Sequence, residues 1–118
     1  MPAPQSSRRR LFSLEEANRL LPSVKLVTAE AVREAEALAR ELRHHGEAHP
    51  RHEQLSEQLD QIVTRWASRL QELQVEAKGL WLVDFDNGEG YYCWQYPEET
   101  ISHYHGYEDG FAGRMKIV

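Results

Sequence analysis

Two stripes of apolar residues at helical spacing constrain the fold of this chain most strongly. Within each stripe the positions recur at steps of three and four, which places them on one face of a helix. The first helix is predicted to run to about Arg43, and the second from about His52 to Ala77. The first stripe comprises Val24, Thr28, Ala31, Ala35, Leu38 and Leu42, and the second comprises Leu55, Leu59, Ile62, Trp66, Arg69 or Leu70, and Leu73. Because residues 44–50 between them are polar and include a glycine and a proline, the pair predicts a long antiparallel helical hairpin.

The residues ahead of the first stripe predict how the first helix begins. Ser13 and Glu16 have the spacing of a capping box, in which each side chain accepts a hydrogen bond from the other residue's backbone amide. Pro22 has no amide hydrogen to donate and crowds the preceding helical turn. We therefore expect a short N-terminal helix from Ser13, a bend at Leu21 and Pro22, and then the long helix.

After Gly79 the pattern changes to that of extended chain. Two runs rich in aromatic and β-branched residues, at 80–85 and 91–96, flank a short segment with two glycines, which is typical of a β-hairpin. Residues 100–105 form a third, shorter predicted strand. Helices followed by strands indicate an α+β fold, with a small three-stranded antiparallel sheet packed against the helical hairpin.

Length and charge limit the number of domains and the classes of partner. The 118 residues fit a single domain, which we place at residues 11–118, behind a basic arm at residues 1–10 that we expect to be disordered. The net charge is −5, and residues 79–118 carry seven acidic residues against Arg114 and Lys116. A nucleic acid would need a basic face, and no segment is apolar enough to span a membrane, so neither partner is expected.

Cysteine usage predicts the compartment. Cys93 is the only cysteine, so an intrachain disulfide is impossible and a reducing compartment, the cytoplasm, is expected. Its position in a predicted strand favours a small strand residue over a nucleophile.

Motifs at both ends and in the middle of the chain resemble those of a known family. They are Phe12-Ser-Leu-Glu-Glu-Ala-Asn18, Leu20-Leu-Pro22, Gly79 to Phe85, His105, and Gly110-Phe-Ala-Gly-Arg114. Over residues 11–117 the chain resembles the bacterial domain-of-unknown-function 2203 family of uncharacterised conserved proteins. Members of that family often have tryptophan before the histidine, where this chain keeps an aromatic residue, Tyr104. The resemblance supports the predicted architecture and implies no reaction.

The histidines near the C-terminus are the candidate metal ligands. His103 and His105 are two residues apart on a predicted strand, so they share one face of the sheet. A mixed nitrogen and oxygen ligand set suits zinc or another divalent ion. Asp84 or Glu108 could supply the carboxylate, and Asp109 or Glu16 is the alternative. Because Ile101 shares the face of the two histidines, the other interpretation is that they are part-buried and hydrogen-bonded without a metal ion. The predicted metal set is His103, His105, Asp84 and Glu108.

Arg114 is the candidate anchor for an anionic ligand. Its guanidinium group could bind a carboxylate or phosphate, and the neighbouring glycines would expose backbone amides to that ligand. The alternative, which we favour, is an internal ion pair with Glu15 or Glu16, or with Asp109. The predicted ligand-binding set is Glu16, His105, Asp109 and Arg114.

The histidines of the interhelical loop are interpreted as solvated side chains rather than as a metal site. They are His44, His45, His49 and His52.

Two function hypotheses follow from these patterns. The first is an interaction or assembly module, in which apolar helix surface left over by the small sheet is covered by a protein partner or by a second copy in a homodimer. The second is a metal- or small-ligand-binding domain, with hydrolase chemistry as one form of it. The chain has no phosphate-binding glycine loop and no catalytic triad pattern, so the sequence favours a protein that is not an enzyme.

Overall fold

A computed structural model describes residues 9–46 and 48–118 of the protein. Residues 1–8, most of the arm predicted to be disordered, and residue 47 lie outside the described residues. Arg9 and Arg10 are exposed, and Arg9 reaches the end of the sheet, where its Nε atom lies 3.3 Å from Asp86 Oδ2.

The first helix, α1, spans Leu14–His45 without interruption. The predicted capping box is confirmed, with Ser13 Oγ accepting from the Glu16 amide and the Glu16 carboxylate accepting from the Ser13 amide. The predicted short helix and bend at Pro22 are wrong, because Pro22 lies inside α1. Leu21 and Val24 on either side of it are buried in one core, and this packing offsets the lost hydrogen bond.

The second helix, α2, spans His52–Glu72 and packs antiparallel against α1, which confirms the helical hairpin. Trp66 joins the two helices: its indole Nε1 donates a 2.9 Å hydrogen bond to Thr28 Oγ1 in the core. The helix ends earlier than predicted, because Gln74 takes a positive φ of 66°. Residues assigned to the end of α2 thereby become the first strand.

The sheet has five antiparallel strands in sequence order, and the prediction of three is wrong. The two additional strands lie at its edges, and each is short. The first strand overlaps the end of the helix predicted to run to Ala77, and the last strand has only two residues. Neither strand therefore shows a period-two pattern of its own in the sequence. The strands are β1 Glu76–Gly79, β2 Leu82–Asp86, β3 Gly90–Gln95, β4 His103–Gly106 and β5 Met115–Lys116.

The two faces of the sheet differ in chemistry. Val83, Phe85 and Trp94 are fully buried against the helices and form the main core with the apolar stripes. Side chains alternate along a strand. Asp84, which lies between Val83 and Phe85, and Cys93, which precedes Trp94, therefore lie on the opposite, outer face. Residues 107–114 contact this outer face after β4 ends. Neither helix built by the described residues is long and apolar enough to cross a membrane.

Candidate metal centre

Three neighbouring strands bring a carboxylate, a thiol and an imidazole together on the outer face. Asp84 on β2 is paired with Cys93 on β3, and His105 on β4 is paired with Tyr91 one step along the same face. The side chains are 1%, 0% and 4% exposed respectively. Their potential metal-ligating atoms all lie within 4.8 Å of one another. The pleat and the register therefore build a compact cluster from three residues that are far apart in sequence.

His105 faces a hydrogen-bond acceptor at each ring nitrogen. Its Nε2 lies 2.9 Å from Asp84 Oδ2, and its Nδ1 lies 2.8 Å from the Gly106 carbonyl oxygen. A neutral imidazole carries only one N–H, so both contacts are hydrogen bonds only when the pair shares one further proton. Burial raises the pKa of Asp84, against the opposing effect of the His105 hydrogen bond. Burial therefore disfavours an uncompensated negative charge on Asp84.

The second carboxylate oxygen of Asp84 lacks a partner. Oδ1 is buried and has no donor of the described residues within hydrogen-bond distance, although the Cys93 thiol acts on the Asp84 carboxylate as a weak donor that lowers its pKa. Leaving a buried acceptor unpaired costs about 1–3 kcal/mol, and most buried polar atoms in proteins are satisfied. Oδ1 is therefore an acceptor available for a cation or a donor.

Cys93 is set apart from a nucleophilic cysteine by its burial. Burial raises the pKa of its thiol to about 11, although the Arg114 guanidinium 3.7 Å away acts in the opposite direction. A thiol with this pKa is protonated at neutral pH and is a poor nucleophile. A metal ion can displace the proton, because a coordinating thiol is deprotonated outright.

A cleft of about 360 Å³ opens next to the cluster. Asp84 and His105 contribute to its lining, and so does the Tyr107–Phe111 segment that follows β4. The Tyr107 hydroxyl donates a 2.7 Å hydrogen bond to Asp86 Oδ1, which ties the start of that segment to the end of β2. The cleft gives the cluster a route to solvent and room for a small molecule.

Glycines explain how the C-terminal segment folds over the cleft. A Cβ atom at Gly106 would lie 2.8 Å from the Asp109 carboxylate, and one at Gly113 would lie 3.0 Å from Asp109 Cβ. Asp109 therefore occupies a slot between two glycines, which accounts for part of the glycine-rich C-terminal motif.

Arg114 forms an internal ion pair, but the partners expected from the sequence are wrong. Its Nη2 atom lies 2.6 Å from Glu98 Oε2, and its Nη1 atom lies 3.3 Å from Glu98 Oε1, so the ion pair is bidentate. The pair lowers the pKa of Glu98, against the opposing effect of burial, and raises that of Arg114. Glu98 follows the β3 strand, and its distance from Arg114 in sequence gave no signal of the contact.

The predicted metal and ligand sets are only partly brought together. Asp84 and His105 meet in the cluster, and Asp109 and Glu108 line the adjoining cleft. Within the described part of the chain, the cluster includes neither His103 nor Glu108.

Strand register and helix capping explain where the other two predicted residues lie. His103 pairs with Cys93 across the strands, and its Nδ1 lies 3.1 Å from Ser102 Oγ. Glu16 is used in the capping box of α1.

Cys93 was missed as a candidate ligand. Its alternation with Tyr92 and Trp94 was visible in the sequence, but only the β2–β3 register places it opposite Asp84. The histidines of the interhelical loop form no cluster of potential metal ligands with other described residues. Instead, the His45 ring stacks on the His49 ring, with ring centres 3.9 Å apart.

Comparison with known proteins identifies a family. Residues 10–117 match the family model described as "Uncharacterized conserved protein (DUF2203)", which confirms the resemblance carried by the sequence motifs. No curated protein and no solved structure matches the chain.

Proposed function

The chain belongs to the DUF2203 family, whose description gives no activity, and we propose from its own geometry that it binds a divalent metal ion, zinc in the first instance, at Asp84, Cys93 and His105. The observation that carries this proposal is the buried Oδ1 of Asp84, an acceptor with no partner in the described residues, inside a cluster of three ligand types.

The donor set suits zinc. Thiolate sulfur, imidazole nitrogen and carboxylate oxygen are its usual protein ligands, with bonds of about 2.0–2.3 Å. Around a tetrahedral ion such bonds put ligand atoms roughly 3.3–3.8 Å apart, and the three atoms here lie within 4.8 Å of one another. Small side-chain adjustments would complete the coordination.

Charge balance supports the same assignment. A divalent cation would replace the proton of the Cys93 thiol and would neutralise the thiolate and the Asp84 carboxylate together. It would also give Asp84 Oδ1 a partner. Three protein ligands and one open position are typical of catalytic zinc sites, so hydrolase chemistry stays within the proposal.

The cytoplasm is the proposed compartment, because the thiol of Cys93 is free and buried and must be reduced to bind the ion.

A protein-binding role is the second candidate. An apolar cleft of about 350 Å³ lies between the helical hairpin and the β1–β2 turn, with Leu80 59% exposed at its edge. This surface favours a protein partner or a homodimer, which light scattering at high micromolar concentration would detect. A monomer at that concentration would contradict the homodimer.

Metal analysis tests the main proposal. Protein purified without an affinity tag, stripped with a chelator and titrated with zinc should bind one equivalent, and its unfolding temperature should rise. At a free zinc concentration 100 times Kd, the stabilisation should be about 2.7 kcal/mol.

Variants discriminate the observed cluster from the set predicted by sequence. Cys93→Ala and Asp84→Asn should each lose zinc binding, whereas His103→Asn and Glu108→Gln should keep full stoichiometry. Zinc binding that survives Cys93→Ala and Asp84→Asn, or that is absent in the wild type, would overturn the proposal.

A further inference from the structure

We propose that Arg114 is a positioning residue of the metal centre: its guanidinium donates a hydrogen bond to the Cys93 sulfur and keeps the bound thiolate a ligand rather than a nucleophile. Arg114 Nη1 lies 3.7 Å from Cys93 Sγ, and the cysteine is fully buried. The inference rests on the proposed metal site. It goes beyond that site by assigning the reactive position to the ion and not to the sulfur.

Two contacts hold the guanidinium against the sulfur before any ion arrives. Glu98 binds it in the bidentate pair, and Glu98 itself accepts a 2.9 Å hydrogen bond from the Gln95 amide at the end of β3. The Phe111 ring packs on the guanidinium, with 4.5 Å between Arg114 Cζ and the ring centre. The Arg114 side chain is only 13% exposed. Its direction is therefore fixed, and the hydrogen bond to sulfur costs little further conformational entropy.

The ion pair with Glu98 does not by itself account for the contact with sulfur. Nη1 carries two hydrogens, which is enough for both Glu98 Oε1 at 3.3 Å and Cys93 Sγ. A neutral thiol is a weak acceptor, whereas a thiolate accepts a charge-assisted hydrogen bond, which is roughly twice as strong as a neutral one. The contact is therefore strongest when Cys93 is a metal-bound thiolate.

A hydrogen bond to a bound thiolate changes its chemistry in a defined direction. The donor draws electron density from the sulfur, so the sulfur gives less charge to the ion and attacks electrophiles less readily. Because Glu98 neutralises the guanidinium, the donor adds no net charge that would repel a divalent cation. This arrangement is expected of a centre that acts as a Lewis acid, and not of one whose thiolate is the nucleophile.

Cobalt(II) substitution reports on the electron density at the sulfur. Arg114→Met nearly keeps the length of the side chain and removes its donors. The thiolate-to-cobalt charge-transfer band of this variant should lie at longer wavelength than that of the wild type, because the sulfur electrons are held less tightly without the hydrogen bond. Arg114→Lys retains the positive charge and N–H donors, and should return the band toward the wild-type position. A purely structural role of Arg114 would not move the band.

Alkylation of the zinc-loaded protein is the second readout. The bound thiolate displaces iodide from iodoacetamide, and mass spectrometry follows the product. Arg114→Met should react about tenfold faster than the wild type, because it lacks a hydrogen bond to a charged group. Arg65→Met removes an arginine from the exposed pair with Glu34 and should change neither the band nor the rate. Circular dichroism and metal analysis verify that each variant is folded and holds one equivalent of the ion.

The outcomes separate this inference from the metal proposal. An unshifted band in cobalt-loaded Arg114→Met, or an alkylation rate equal to that of the wild type, would overturn the inference and leave the metal centre intact. A wild type that binds no cobalt would overturn both. Arg114→Gln is a second neutral variant, and its band decides the question in the same way if Arg114→Met does not fold.

Discussion

The helical hairpin and the outer face of the sheet are stabilised in different ways. In the hairpin, apolar side chains fill the interface, and the buried Trp66 indole donates to Thr28 Oγ1. A buried nitrogen without a partner among the described residues, His52 Nδ1, lies at the first residue of α2, away from this interface core. On the outer face, the buried Asp84 has an oxygen without a partner in the described chain.

A buried, unpaired acceptor is a cost that a bound cation can remove. Asp84 lies beside two further potential ligands, Cys93 and His105, whereas His52 belongs to no such cluster among the described residues. The comparison therefore separates the scaffold from the candidate site.

Truncation in the hairpin should have the largest effect on stability. Trp66 is buried between α1 and α2, and Trp66→Ala should lower the free energy of unfolding by about 3–5 kcal/mol through the cavity that it leaves. Urea denaturation measures this loss.

A milder hairpin variant sharpens the comparison. Thr28→Val leaves the indole N–H unpaired and should cost about 1–3 kcal/mol while zinc stoichiometry stays at one. A loss of zinc binding in Thr28→Val would contradict the separation of scaffold and site.

Gly90→Ala should damage the outer face. A Cβ atom at Gly90 would lie 2.5 Å from the His105 carbonyl oxygen, so β3 and β4 must move apart. We expect a loss of about 1–3 kcal/mol together with weaker zinc binding, measured by denaturation and metal titration.

Gly110→Ala is the matched control for Gly90→Ala. A Cβ atom at Gly110 would meet no heavy atom of the described chain within 4 Å, and its effect should stay within about 0.5 kcal/mol. Equal effects of the two substitutions would contradict the account.

Arg114→Ala should have a smaller effect that depends on pH. The side chains of Arg114 and Glu98 are 13% and 26% exposed, so the loss should fall between those of exposed and buried pairs, about 1–2 kcal/mol. The pKa of Glu98 is lowered below its usual 4.5 in the folded state. The pair's contribution is therefore present above about pH 4.5 and is lost as pH falls through the folded pKa.

Arg65→Ala provides the control for this prediction. Arg65 lies 3.9 Å from Glu34 in an exposed pair, and its replacement should change stability by less than about 0.5 kcal/mol. A stability difference between wild type and Arg114→Ala that persists unchanged well below pH 4 would contradict the assigned role of Glu98.

The same two regions show what the sequence could predict. The hairpin and the capping box at Ser13 follow from local spacing, and both are confirmed. The bend at Pro22 was wrong because the cost of one proline is local, whereas the packing of Leu21 and Val24 that offsets it is tertiary. Strand β5 has two residues and exists only through its pairing with β4, so no local pattern could reveal it.

The candidate site was predicted only in part, for a related reason. Asp84 and His105 were identified by residue type, but the third member of the cluster depends on register, which places Cys93 rather than His103 opposite Asp84. The partner of Arg114 likewise depends on where the chain goes after β3, where Glu98 is positioned by an acceptor contact with the Gln95 amide. Long-range geometry, and not composition, decides which chemically suitable side chains meet.

Cobalt(II) spectroscopy tests the central claim most directly, because it reports on the ligands of the bound ion. One equivalent of cobalt added to the chelator-stripped protein should give visible bands of a four-coordinate ion together with a near-ultraviolet thiolate-to-cobalt charge-transfer band. In Cys93→Ser the charge-transfer band should disappear. Bound cobalt without that band in the wild type, or with identical spectra in the wild type and Cys93→Ser, would contradict a metal centre at Asp84, Cys93 and His105.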